Sequence, residues 1–224
     1  MASHPRVRLD PEDRRAQLIA LGLEILSAKP AAQVAVDDIA EAAGISRGLL
    51  FHYFASKRDF QLAVVEAAAA ELLRVTEPDS SLPELEQLSG SLDAFVSYIE
   101  DKHELYVALV RGSAGADPDL HAIFEENRNT VADRVCQALG EAGTHPALRT
   151  AVRGWIAFCE EATLHWVAHR TSEREQLVHL CEQLLVTAVV TVLPEEDWPE
   201  WYRGGPVAAG RTPSGTTGAG EATL

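Results

Sequence analysis

The chain is poor in the residues from which catalytic, metal-binding and secreted architectures are built. Its three cysteines, Cys136, Cys159 and Cys181, are far apart and form no CxxC pair, which excludes a disulfide framework or zinc knuckle and fits a reducing compartment. No Walker-type phosphate loop and no GxGxxG occurs, the chain is read as lacking a GxSxG nucleophile elbow, and nothing beside Cys159 would obviously activate its thiol. No catalytic residue, metal site or cofactor is therefore assigned. The first fifteen residues, "MASHPRVRLDPEDRR", lack the apolar core of a signal peptide, and no later run approaches a membrane span, so a cytoplasmic location without membrane contact is expected. Basic residues are scarce too: 19 Lys/Arg stand against 34 Asp/Glu, a net charge of −15. Bulk affinity for a polyanion is not what this composition suggests.

The deficit of positive charge is local. Through Phe60 the chain carries eight Lys/Arg and eight Asp/Glu, so the whole acidic excess lies beyond residue 60, and only the first segment could face a polyanion. Nearly all of the 224 residues read at helical period. Asp10 before Pro11 starts a first helix over 11–28, whose apolar stripe is Ile19, Leu23 and Leu26. Gly44 ends a second, begun by Asp37 and Asp38. Ser46 caps a third over 46–53, and Ser56 a fourth from 57 to 75. A connection follows at 76–84. Two helices then meet near Lys102 or His103, "GADPD" breaks the pattern before a helix over 118–140, and "GTHP" breaks it again.

The last two helices are the most regular. Leu148, Val152, Trp155, Cys159, Ala162 and Trp166 step by four and three, as do Leu177, Cys181, Leu184 and Ala188; each stripe predicts a seam that packs lengthwise on a partner. "VTAVVTVL", 186–193, has strand propensity but no second strand to pair with, and is read as helix. From 195 to 224 the chain is small and Gly-rich and is expected to be a disordered tail.

"GISRGLLFHYFASKRDF", residues 44–60, sets three rings and a histidine among Arg47, Lys57 and Arg58. From Val36 to Phe54 the spacing is helix, tight glycine turn, helix, in which a second helix enters the major groove and flanking cations hold phosphates. Alone, aromatics at such spacing are more often core, and Lys57 with Arg58 a solvated face. The segment "DDIAEAAGISRGLLFHYFASKRDF" closely resembles the DNA-binding segment of the TetR family of bacterial transcription regulators, over residues 11–62. "RGWIAFCEEATLHWV" resembles the eighth helix of some actinobacterial members. The resemblance implies an all-α fold of about nine helices: a DNA-binding domain over 1–60, a ligand-binding and dimerisation domain over 61–194, and the tail. It implies that Ser46, Arg47, Gly48 and Leu49 lead the recognition helix to base edges, that Phe51 and His52 face groove wall and phosphate, and that Lys57 grips phosphate, while Leu50 and Phe54 are core. Two positions depart from the pattern: Ala35 stands where many members have a Thr cap, and Phe51 where many have Tyr.

The same resemblance implies a homodimer through the last two helices, a palindromic operator in double-stranded DNA, and a small-molecule effector that releases it, making the chain a repressor. Trp155, Phe158, Tyr98, Tyr106 and Phe124 are the candidate ligand-binding residues, with His103, Asn127 and Glu161 as polar handles. Glu161, His165 and His169 share a helix face and are read as surface charge, not a metal site. An all-helical ligand-binding or interaction module without sequence-specific DNA binding is the alternative, and an enzyme a more distant one.

Overall fold

A computed structural model describes residues 10–28, 36–107 and 118–199. Among them are nine α-helices: α1 (Pro11–Ala28), α2 (Val36–Ala42), α3 (Arg47–Tyr53), α4 (Lys57–Val75), α5 (Glu84–Asp101), α6 (His103–Val107), α7 (Pro118–Ala138), α8 (Pro146–His169) and α9 (Arg174–Val192). The expected starts and stops are realised by named bonds. The Asp10 carboxylate accepts from the Asp13 amide at 2.9 Å, Ser46 Oγ from the Leu49 amide at 3.2 Å and Ser56 Oγ from the Asp59 amide at 3.1 Å, each satisfying a donor that the helix itself leaves unpaired. The cap at Ala35, the break at 115–117 and the tail from 200 onward lie outside the described residues.

The first three helices and the start of α4 enclose a core of Leu18, Leu26, Ile39, Leu50, Phe54, Phe60 and Val64. The buried line of α1 is Leu18, Gly22 and Leu26, with Ile19 and Leu23 at its flank. It differs by one position from the stripe read in sequence, because Gly22 has no side chain to mark the face. That glycine is where α1 crosses α4: a Cβ there would lie 2.7 Å from both Phe60 Cζ and Val64 Cγ2. This head is not closed at residue 60. Helix α4 continues through it, and Leu105 of α6 and Leu120 of α7 complete its core.

In the body α8 and α9 lie along each other, with α5 against α9 and α7 against α8. The two sequence seams meet inside this core: Leu148, Val152, Trp155, Cys159 and Trp166 of α8 are buried with Leu177 and Cys181 of α9, and Trp155 Nε1 donates to the Cys181 carbonyl at 2.8 Å. The α8 seam and the first half of the α9 seam are therefore spent within one chain, whereas beyond Cys181 the buried line of α9 shifts by one position to Leu185 and Val189 and leaves Leu184 and Ala188 half-buried. At the turn between them Arg170 is left-handed, φ 49°; its amide donates to Trp166 O at 2.7 Å, its guanidinium lies over the Trp166 ring and pairs with Glu100 at 2.6 Å. Helix α9 is long and apolar enough to cross a membrane, with mean hydropathy 1.2, contrary to the sequence reading. Its apolar face packs on α5 and α8, as in the central helix of a bundle. Nor does the tail begin at 195: Trp198 folds back into the body core, its Nε1 donating to Leu193 O at 3.1 Å.

Two glycines in helix interiors should respond oppositely to alanine. At Gly90 of α5 a Cβ meets nothing within 4 Å, so Gly90→Ala is expected to gain about 0.5–1 kcal/mol from helix propensity. At Gly22 the same gain is outweighed by overpacking against Phe60 and Val64, for a net loss of about 1 kcal/mol. Urea unfolding of the two variants measures the contrast.

Candidate nucleic-acid interface and body cavity

The turn between α2 and α3 needs a left-handed residue, and Gly44 supplies it with φ +63°. The Gly44 amide donates to Glu41 O and the Ile45 amide to Ala40 O, both at 2.9 Å, closing the end of α2. Helix α3 then turns Leu50 inward, and Phe54, just after it, is also 1% exposed; the Phe54 ring meets Phe60 edge-on at 4.9 Å and has the Arg15 guanidinium over its face. The opposite side of α3 is bare. Ser46, Arg47, Gly48, Leu49, Phe51 and His52 are all exposed, with Leu49 at 39% and Phe51 at 37%, although large apolar side chains ordinarily seek the core. At Gly48 a Cβ would approach nothing closer than the Ser46 hydroxyl, at 3.9 Å, so internal packing does not require glycine there.

Arg47 rests over the Phe51 ring at 5.7 Å and stands 3.6 Å from the Asp37 carboxylate, both side chains more than 60% exposed. Such a pair holds the guanidinium weakly and leaves it available to another anion. Lys57 is exposed at the first turn of α4. Arg58, grouped with it in sequence, instead reaches Asp119 at the start of α7. Residues 44–48 do spell G-x-S-x-G, which corrects the sequence reading that the chain lacks that motif. A nucleophile elbow follows a strand, whereas Ser46 follows helix α2 and its Oγ caps α3.

Behind the head, α4, α5, α7, α8 and α9 surround a cavity of about 200 Å³. Tyr98, Tyr106, Phe124 and Trp155 line it, as does Asn127, whose Nδ2 donates to Ala69 O at 3.3 Å. Phe158 does not: it lies on the outer face of α8, 36% exposed, beside Glu161, His165 and Leu180, because Trp155 already occupies the inward position three residues earlier. Neither His103 nor Glu161 reaches the cavity. His165 and His169 stack at 4.3 Å, and no group of three His, Cys, Asp or Glu able to hold a metal occurs among the described residues.

The polar groups at the inner end of the cavity are Arg128 and Glu160, neither singled out in sequence. Arg128 donates to both Glu160 oxygens, through Nε at 3.1 Å and a terminal nitrogen at 2.6 Å, and to Glu125 at 2.9 Å. Arg153 bonds Glu125 at 2.5 Å, and Tyr106 Oη donates to Glu160 at 3.2 Å. Arg128 and Glu160 sit on α7 and α8 32 residues apart, so only their common enclosure, not a local motif, could have disclosed them. The hydrogen bond from Arg128 is the main cause holding Glu125 below the usual carboxylate range. Burial, then the Glu160 charge, raises Tyr106 well above an ordinary phenol. Burial and Glu71 do the same to Tyr98. The Cys159 thiol, at the cavity wall, is pushed up by its hydrogen bond to Cys181 and by burial, and Cys181 is lowered in turn; Cys159 thus stays protonated and a poor nucleophile.

A two-helix reading unit with its leading face exposed, carried on an α-helical body, defines a helix-turn-helix regulator. Residues 18–64 match the family model "Bacterial regulatory proteins, tetR family" and residues 83–190 that of "Tetracyclin repressor-like, C-terminal domain". The chain belongs to the TetR family and is a DNA-binding transcription regulator, not an enzyme. It is 24% identical over 170 residues to the HTH-type transcriptional activator FasR of Mycolicibacterium smegmatis, covering 71% of this chain and 75% of that protein. A tetR-family transcriptional regulator from Streptomyces coelicolor superimposes with a TM-score of 0.72 at 26% identity, covering 88% of this chain and 94% of that one. BioQ, solved with its natural double-stranded DNA operator, shares the fold with a TM-score of 0.55 at 19% identity, covering 79% of this chain and 98% of that one.

The phenols make stability sensitive to alkali. Above pH 10, their ordinary value, Tyr98 and Tyr106 ionise in the unfolded chain but keep their protons in the native one. The unfolded state then binds fewer protons, so stability falls as pH rises, by about 1.4 kcal/mol per pH unit per phenol. Thermal unfolding between pH 9 and 11 is expected to show this fall, and Tyr98→Phe with Tyr106→Phe to flatten it.

Proposed function

We propose that the protein is a homodimeric repressor that reads a palindromic operator through α3 and is released by a small, mostly apolar molecule held in the body cavity. The observation that carries the reading is the exposed leading face of α3, where Arg47, Leu49, Phe51 and His52 stand uncovered over a buried Leu50. Ser46, Arg47, Gly48 and Leu49 meet base edges; the bare backbone at Gly48 permits close approach, and Phe51 offers apolar contact to a thymine methyl. His52 and Lys57, with the first turn of α4, take phosphate. One such helix covers few base pairs, so two copies on a two-fold axis are needed, and they read a symmetric site.

The dimer forms through α8 and α9, as the sequence suggested, but by their outer faces. Gly154, Phe158, Glu161 and His165 on α8 and Gln176, Leu180, Gln183 and Thr187 on α9 are exposed at helical spacing, and Phe158 and Leu180, 47% exposed, are the apolar anchors. Seated on an operator, such a dimer blocks polymerase by occupancy alone. Tyr98, Tyr106, Phe124 and Trp155 form the effector site. The unit that reads DNA, expected over 1–60, is taken here to extend through the first half of α4, with the sensing unit beyond it, inside the cytoplasm.

Selection of duplexes from a random pool is expected to return an inverted repeat; a product without symmetry overturns the reading. On the selected site Lys57→Ala should weaken binding on all sequences alike and reduce the salt slope by about one, whereas Arg47→Ala costs about 1–3 kcal/mol and relaxes one position. Phe158→Glu with Leu180→Glu is expected to sediment as a monomer and lose the operator.

A further inference from the structure

The cavity has a length and two unlike ends. Its walls run from Glu84 to Tyr98 on α5 and from Phe124 to Leu139 along and just beyond α7, roughly 20 Å at the rise of an α-helix. About 200 Å³ drawn out over that distance is a narrow channel and not a round chamber. Its sides are Leu72, Leu88, Leu92, Phe95, Val131 and Val135. At the inner end the polar groups already have partners: Arg128 and Glu160 bind each other, Tyr106 binds Glu160, Tyr98 donates to Ala68 O at 3.1 Å and Asn127 to Ala69 O.

The other end is unfinished. Arg134 of α7 reaches the channel half-buried and donates to the Leu73 carbonyl at 2.9 Å, one of five N–H groups that a guanidinium offers. Among the described residues no carboxylate pairs with it. Ser91 of α5, on another wall, has its Oγ buried without a hydrogen-bond partner among the described residues. Glu84, the remaining acidic group of this lining, is exposed at the first turn of α5 and screened by solvent.

We propose that the effector is a single-chain aliphatic acid, its tail lying along the channel between α4, α5 and α7 and its anionic headgroup held by Arg134. The inference rests on the reading of the cavity as the effector site and adds the ligand's chemistry. A guanidinium without a carboxylate selects an anion over a neutral or cationic head, and the apolar walls select the chain.

The full chain is titrated calorimetrically with decanoate, decanol and decylamine. Decanoate is expected to bind about tenfold tighter than decanol, a charge-assisted hydrogen bond's worth, and decylamine weaker than either. Arg134→Gln should bring acid and alcohol to within about twofold of each other by removing that bond, with the alcohol unchanged. Val131→Trp, which fills the channel, should abolish both. Equal binding of acid and alcohol, retention of the preference in Arg134→Gln, binding that survives Val131→Trp, or no binding at all overturns the proposal. Should the Gln variant fail to fold, Arg134→Lys, which keeps the charge, and the wild-type comparison of the three headgroups still decide it. An operator released by a non-acidic molecule would sink this inference and leave the regulatory reading standing. Failure to select any symmetric duplex would sink that reading whatever decanoate does.

Discussion

One helix is shared by both halves of the molecule, and the rest of the structure depends on that sharing. Phe60, Val64 and Val65 of α4 are buried in the core that holds α3 in place, while Val65, Ala68, Ala69 and Leu72 of the same helix wall the cavity. Its packing on α1 works because Gly22 leaves room for the Phe60 ring. A continuous helix is stiff over this length, so any tilt of α4 in the body turns the head with it.

The second constraint is electrostatic. Arg128 and Glu160 are 24% and 15% exposed, and removing such ions from water is costly enough that the pair adds little net stability. What it provides is position. A bidentate guanidinium–carboxylate pair tolerates little displacement, and Glu125 and Arg153 extend it, so the middle of α7 is held to α8 at one register. The ends of α7 serve different neighbours. Asp119 holds Arg58 at the start of α4, Leu120 and Ile123 join the head's core, and Val131 to Leu139 wall the channel.

Legibility in the sequence followed the range of the interactions. Caps and turns are local, and the positions of Asp10, Gly44, Ser46 and Ser56 could be read directly because each acts within a few residues of itself. The exposed face of α3 was legible for the same reason, together with the family resemblance. Seams were legible as apolar stripes, but a stripe does not say which helix it meets. Those of α8 and α9 met each other, which displaced the outward surface onto Phe158 and Leu180. The Arg128–Glu160 pair was beyond reach, since two charged residues 32 positions apart look like surface until α7 and α8 are packed. Trp198 was hidden by the composition around it, and Gly22 by having no side chain.

For the effector response proposed above, these features together decide what an occupant of the cavity must do. Val65, Ala68, Leu105 and Phe124 belong both to the head's core and to the cavity lining, so an occupant of the inner end touches the packing that positions α3. An occupant that fits the channel equally well at every spacing of α4 and α7 changes nothing, however tightly it binds. One that is longer or thicker than the empty channel favours the spacing that admits it. Because α7 is tied to α8 at its middle, that widening falls on α4, and through α4 on the reading head. In the proposed homodimer the coupling is reciprocal: whatever factor the occupant changes the affinity for DNA by, DNA changes the affinity for the occupant by the same factor.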